Sequence, residues 1–146
     1  MQIIGIFAVV LSLIFVGMEM RQTQEIARAT LYQMRSDSST TIGGYMIENE
    51  QAREVAVRVA IGGTESLSPE DFLLNRVTCD SILGHFENSH HLYTLGFLAD
   101  EQWNADRNQL AELLTSMCRT TWVKSVKDNL RSSFVEEVDD ILGKGK

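Results

Sequence analysis

Glu87 and His90 form an E-x-x-H pair, with His85 and His91 close by. Three residues apart on a helix, the two side chains share a face. Di-iron helical bundles use this pairing twice, with further carboxylates from neighbouring helices. Here the motif occurs once, so a structural or surface role is expected for His90. Cys79 and Cys118 are the other groups with reactive potential. They lack C-x-x-C spacing and clustered partners, which leaves zinc unsupported. Nucleophilic catalysis would need a base placed beside one of them. Cys79 falls on an apolar stripe, where a thiol serves as a small hydrophobe. No Walker loop, G-x-G-x-x-G, H-E-x-x-H or G-x-S-x-G is present. These residues predict a non-enzyme with no metal, no cofactor and no evident small-molecule substrate. A membrane-bound metal or redox enzyme using Glu87 and His90 is the alternative they leave.

The elements that would position these residues are helical. Ser68-Pro69-Glu70-Asp71 is the clearest local signal. Serine caps the backbone N–H groups, proline fits the first helical position, and two acids suit the positive end of the dipole. The helix it opens carries Phe72, Cys79, Phe86 and Tyr93 at intervals of seven, with Leu83, His90 and Phe97 in complementary positions. Gly96 is expected at or just beyond its end. Asp100 is expected to cap another helix, with Trp103, Leu110, Leu114 and Met117 on one face. Thr120-Thr121 punctuates before Trp122, Val123, Val126 and Leu130. Ser132-Ser133 opens a last helix bearing Phe134, Val135, Val138, Ile141 and Leu142. Helical spacing also runs through residues 45–61 and stops at Gly62-Gly63, a suitable C-cap. The serine- and threonine-rich stretch 36–41 and the pair Gly43-Gly44 weaken the helix, which leaves residues 36–44 open between continuous helix and hinge. No convincing strand alternation or fixed repeat is present.

Residues 1–18, MQIIGIFAVVLSLIFVGM, contain no charged side chain. As a helix, residues 3–20 would span about 27 Å, close to the roughly 30 Å of a bilayer core. Ile3, Ile4, Phe7, Val10, Leu11, Ile14 and Phe15 would face lipid. Gly5, Ala8 and Ser12 are small enough to let another helix approach. The segment lacks the basic opening and A-x-A-like site of a cleaved signal peptide, so an uncleaved anchor is expected. Arg21, Arg28 and Arg35 follow the span and could meet lipid headgroups. By the positive-inside rule they put the N-terminus outside and the body in the cytoplasm. Both cysteines would then be reduced thiols.

The resulting organisation is a membrane anchor at 1–20, a helical stalk at 21–44, a helical bundle at 45–142 and a frayed tail at 143–146. The fold class is all-α, a transmembrane helix running into a stalk and then a small antiparallel bundle. The 146-residue chain holds 13 basic and 20 acidic side chains, a net −7. That balance argues against a nucleic-acid partner, which needs basic surface to displace counterions. One proline and ten glycines exclude collagen-like and low-complexity chains. From Glu19 to Ala60 five basic and six acidic residues nearly cancel. From Ile61 onward eight basic residues face fourteen acidic ones, so this part carries −6.

Phe15-Val16-Gly17-Met18-Glu19-Met20-Arg21-Gln22 resembles an F-V-G-L-Q-L-R-Q pattern found in small, uncharacterised bacterial membrane-anchored proteins. The similarity continues at Ala27, Ala29 and Tyr32, at Ser66-Leu67-Ser68-Pro69-Glu70, at Asp100-Glu101-Gln102-Trp103, and at residues 133–139. Glu19 departs from the neutral residue usual at the membrane exit, and the serine-rich stretch around Ser38 is atypical. The resemblance implies a single-pass protein of the bacterial inner membrane with a helical domain, and it brings no catalytic residues. With lipid as one partner, the expected function is a non-catalytic, membrane-anchored accessory or scaffolding subunit of a larger membrane complex. The alternative is a self-associating anchor with a coiled-coil stalk.

Overall fold

The computed structural model describes the backbone of residues 2–123 and 127–144; the side chains of residues 2–6, 128 and 144 fall outside the description. Among the described residues the chain is all-α, without strands. The helices are α1 (Gln2–Glu48), α2 (Glu50–Gly62), α3 (Pro69–Thr94), α4 (Asp100–Ser116), the short α5 (Arg119–Thr121) and α6 (Ser132–Lys144), with a 3₁₀ turn at Lys127–Asn129 before the last. Two compact units result, Met1–Asp37 and Ser38–Lys146.

In the first unit, the helix is held by bonds within its own length. The hydroxyls of Thr23 and Thr30 donate to the carbonyls of Glu19 and Ile26, at 2.8 and 3.0 Å. Arg21 pairs with Glu25 at 3.2 Å, and the Gln33 amide donates to Asp37 at 2.8 Å. The two side-chain pairs, four residues apart, modestly favour helix, whereas the threonine back-bonds compete slightly with it. Among the described residues no helix is long and apolar enough to cross a membrane. Side-chain description of α1 begins at Phe7, and the uncharged run from there to Met18 would make about 18 Å of helix.

Residues 36–44, open between helix and hinge from their composition, are helical: α1 continues through Glu48. Tertiary contacts outweigh the poor propensity of serine and glycine there. Ser38 Oγ lies 3.2 Å from His85 Nδ1, and Ile42 packs against the hydrophobic core. The break comes instead at Asn49, whose backbone is extended and whose side-chain oxygen accepts the N–H of Ala52 at 2.9 Å. Asparagine wins there because its short carbonyl arm satisfies one of the orphan donors that start α2.

The body is built on α3. Ser68 caps it, accepting the Asp71 N–H at 3.1 Å, with Pro69 at the first helical position. Gly63 and Gly96, at φ 73° and 74°, close α2 and follow α3, a left-handed conformation that favours glycine. α3 packs against both α2 and α4, while α5 and α6 close on α3 and α4. The core gathers Leu83, Phe86, Trp103, Leu110, Leu114, Trp122, Phe134 and Val138, all nearly or wholly without solvent exposure. Most of these fall on the predicted stripes. Phe97 departs: it lies beyond the end of α3, where the chain has turned at Gly96, and is 42% exposed. Val123 is exposed too, Val126 lies outside the described residues, and Asp100 begins α4 without capping it. The cap position is Ala99, whose N–H donates to the Gln102 side chain at 3.3 Å.

Polar contacts tie the last helix down. Arg107 of α4 bonds Glu137 and reaches Asp140 at 2.9 Å. The Trp122 indole donates to Asp139 at 3.3 Å, and Lys127 holds the same carboxylate at 2.7 Å. Lys127 and the indole keep Asp139 below the usual carboxylate range, against a smaller opposing effect of burial.

Candidate functional site

Two regions contain the residues singled out by their chemistry. The first is the N-terminal part of α1. Ile3, Ile4 and Gly5 belong to that helix, with side chains outside the described residues. Phe7, Val10, Leu11, Ile14 and Phe15 are between 46% and 65% exposed. At about 100° per residue these five cover one side of the helix. Val9, Leu13 and Val16, likewise exposed, lie on the opposite side, and the small Ala8 and Ser12 fill an arc between them. Ala8 and Ser12 are exposed on the same helix. An apolar collar of this kind is the pattern of a helix surrounded by apolar material. Beyond it Arg21 is paired with Glu25, Arg28 is exposed and Arg35 is half-buried.

The second region is the interior of the body around Glu87 and His90. The helix does bring them to one side, but each is engaged elsewhere. Glu87 accepts the backbone N–H of Arg131 at 2.8 Å and meets that arginine's guanidinium at 3.3 Å. This anchors the segment entering α6, since a carboxylate accepting a peptide N–H at a helix start also matches the dipole. His90 is buried between Trp103 and Phe134, with ring centroids 5.1 and 5.7 Å away. Tyr93 stacks on Trp103 at 5.6 Å. Among the described residues no group of three His, Cys, Asp or Glu side chains could hold a metal ion.

Burial holds His90 below the ordinary histidine range, outweighing the opposing pull of Glu137 and Glu87; the neighbouring His91 adds to the lowering. Above about pH 6.5 the ring is neutral in both the folded and unfolded chains and contributes no pH dependence. Below it the unfolded chain takes up a proton that the folded chain resists, so stability falls as the pH falls. Thermal melts from pH 8 to about pH 5 should therefore decline less steeply for His90→Phe than for the parent. Equal slopes would show that the ring is hydrated in the fold.

The cysteines differ from their expected state. Cys79, in the middle of α3, and Cys118, just before α5, are joined in a disulfide with their Cα atoms 5.5 Å apart. That separation lies within the range a bridge can close. Both are fully buried. The reading of two reduced thiols, and of Cys79 as a small hydrophobe alone, is corrected accordingly. Helical spacing placed Cys79 on the core side, but only the antiparallel return of α4 brings Cys118 to it. The signal available in the sequence was weak: two cysteines, each flanked by core positions.

Elsewhere the body has a shallow depression of about 510 Å³ lined by Gly62, Gly63, Glu65, Arg119, Thr120 and Val123. Asn75 is 2% exposed, and its side-chain oxygen and nitrogen find no hydrogen-bond partner among the described residues. It is the least satisfied point of the interior. Comparison with known protein families, curated proteins and solved structures finds no match for this chain.

Proposed function

We propose that the N-terminal part of α1 anchors this protein in a bacterial cell membrane. Residues 38–146 then serve as a non-catalytic interaction module, an accessory or scaffolding subunit of a larger membrane assembly. The observation that carries the reading is the exposed apolar collar from Phe7 to Met18. Left in water it would be a large uncovered apolar surface, of a size that marks membrane or protein contact. In sequence the collar continues without charge to residue 1. With residues 3–6 the apolar helix reaches about 24 Å, and about 27 Å counted to Met20, near the roughly 30 Å of a bilayer core. Leucine, isoleucine, valine and phenylalanine are the residues bilayer insertion favours, while Gly5, Ala8 and Ser12 offer a close approach to a partner helix. Arg21 lies where a helix leaving the membrane meets headgroups, and Arg28 and Arg35 lie further along. The likeness of residues 15–22 to the anchored bacterial family supports the same placement.

The body supports the interaction role through how its polar groups are used. Glu87, His90, Arg107, Lys127 and Asp139 each serve packing or helix anchoring. Extraction in mild detergent followed by native electrophoresis tests the proposal. The 16.4 kDa chain should migrate in a much larger species. A species of two chains would favour pairing of the anchor helices instead. A lone monomer at every detergent level would defeat the subunit reading.

A further inference from the structure

We infer that the helical body matures in an oxidising compartment, on the outer face of the membrane, so that the N-terminus lies on the cytoplasmic side. The membrane part of this statement rests on the anchor proposed above; the redox part does not. Its basis is the Cys79–Cys118 bond, which joins the middle of α3 to the segment entering α5 across a sequence separation of 39 residues. Both residues are fully buried, and the chain has no other cysteine. The bond therefore lies inside the packed body, away from bulk solvent. That is the placement of a structural bridge, and such bridges persist outside the cytosol, where glutathione and thioredoxin do not reduce them.

Making the bond removes two hydrogens. The donor is a protein disulfide of the exported space. One cysteine thiolate attacks a donor sulfur and releases the other donor sulfur as a thiol. The second cysteine thiolate then attacks the mixed disulfide, closing Cys79 to Cys118 and releasing the second donor thiol. Two electrons and two protons pass to the donor.

The arginines that point to the opposite orientation are thinly placed. Arg21 alone stands at the membrane exit, where it pairs with Glu25. Arg28 and Arg35 lie roughly 12 and 22 Å of helix beyond residue 20. A cytoplasmic body would also bring the −6 of residues 61–146 to the anionic inner leaflet, which repels it.

The test uses the full chain in its own membrane. Samples are quenched in acid, denatured in detergent, and treated with a maleimide large enough to shift gel mobility, with and without prior reduction. No adduct before reduction and two after it are expected. Protease added to cells with a permeabilised outer layer should remove the body. Two adducts without reduction, or a body protected from that protease, would overturn the inference. A parallel alkaline wash separates the two readings. An oxidised chain released by the wash defeats the anchor and leaves the oxidising compartment standing. A retained chain with two free thiols defeats the inference and leaves the anchor standing.

Discussion

Replacing Cys79 and Cys118 together by alanine lowers the stability of the body by about 4 kcal/mol. The figure follows from closing a loop of about 40 residues in the unfolded chain, with the sequence separation of 39 taken from the structure. Enclosed in that loop are the second half of α3 and all of α4, the pair on which α5 and α6 close. In a unit of this size the melting midpoint should drop by roughly 15 °C. Circular dichroism melts of the parent and the double variant measure it. Each single variant, Cys79→Ala or Cys118→Ala, should lose about as much, because either removes the whole constraint. A parent whose midpoint is the same with and without reductant, and matches the double variant, would show that the bond does not restrain the chain.

Phe134→Ala should cost about 3–5 kcal/mol, the range for removing a large buried aromatic. Phe134 has no solvent exposure. Its ring meets Trp122 edge-on at 6.3 Å and lies 5.7 Å from His90. It is thus the point at which α6 locks onto the residues of α3 and the segment after α5. Truncation loses those contacts and leaves a cavity that rigid helices cannot close. Phe134→Leu, which refills most of the volume, should cost no more than about 1.5 kcal/mol. Urea titrations with an unchanged slope would read the differences directly. A loss below about 1 kcal/mol for the alanine variant would mean that α6 is held mainly by Arg107 and its carboxylates.

What could be read in the sequence is what local chemistry decides. Ser68-Pro69 opens α3 because a cap and a proline act within one turn, and Gly63 and Gly96 mark ends through their own φ angles. The stripes of α3, α4 and α6 were legible because burial of one helix face imposes its period on the residue types. The continuity of α1 through residues 36–48 was not. It depends on Ser38 meeting His85, 47 positions away, and on Ile42 reaching the core. Asn49 was overlooked for a related reason: a single capping asparagine looks unremarkable inside an apolar-periodic run. Glu87 and His90 share a helix face, as their spacing requires, yet what they do is set by Arg131 and by the rings of Trp103 and Phe134. The pairing of Cys79 with Cys118 belongs to the same class. Neither residue's neighbours in sequence name its partner, and the reduced state followed from an orientation argument that three arginines carried alone.

An anchored chain has the apolar collar of α1 covered by lipid. Alkaline carbonate extraction of membranes holding the full chain tests this directly, because high pH strips proteins held by charge or by soluble partners and leaves integral helices behind. The chain should remain quantitatively in the pellet and enter solution only with detergent. Release of the full-length chain into the alkaline supernatant would contradict the anchor and assign the collar to a protein partner.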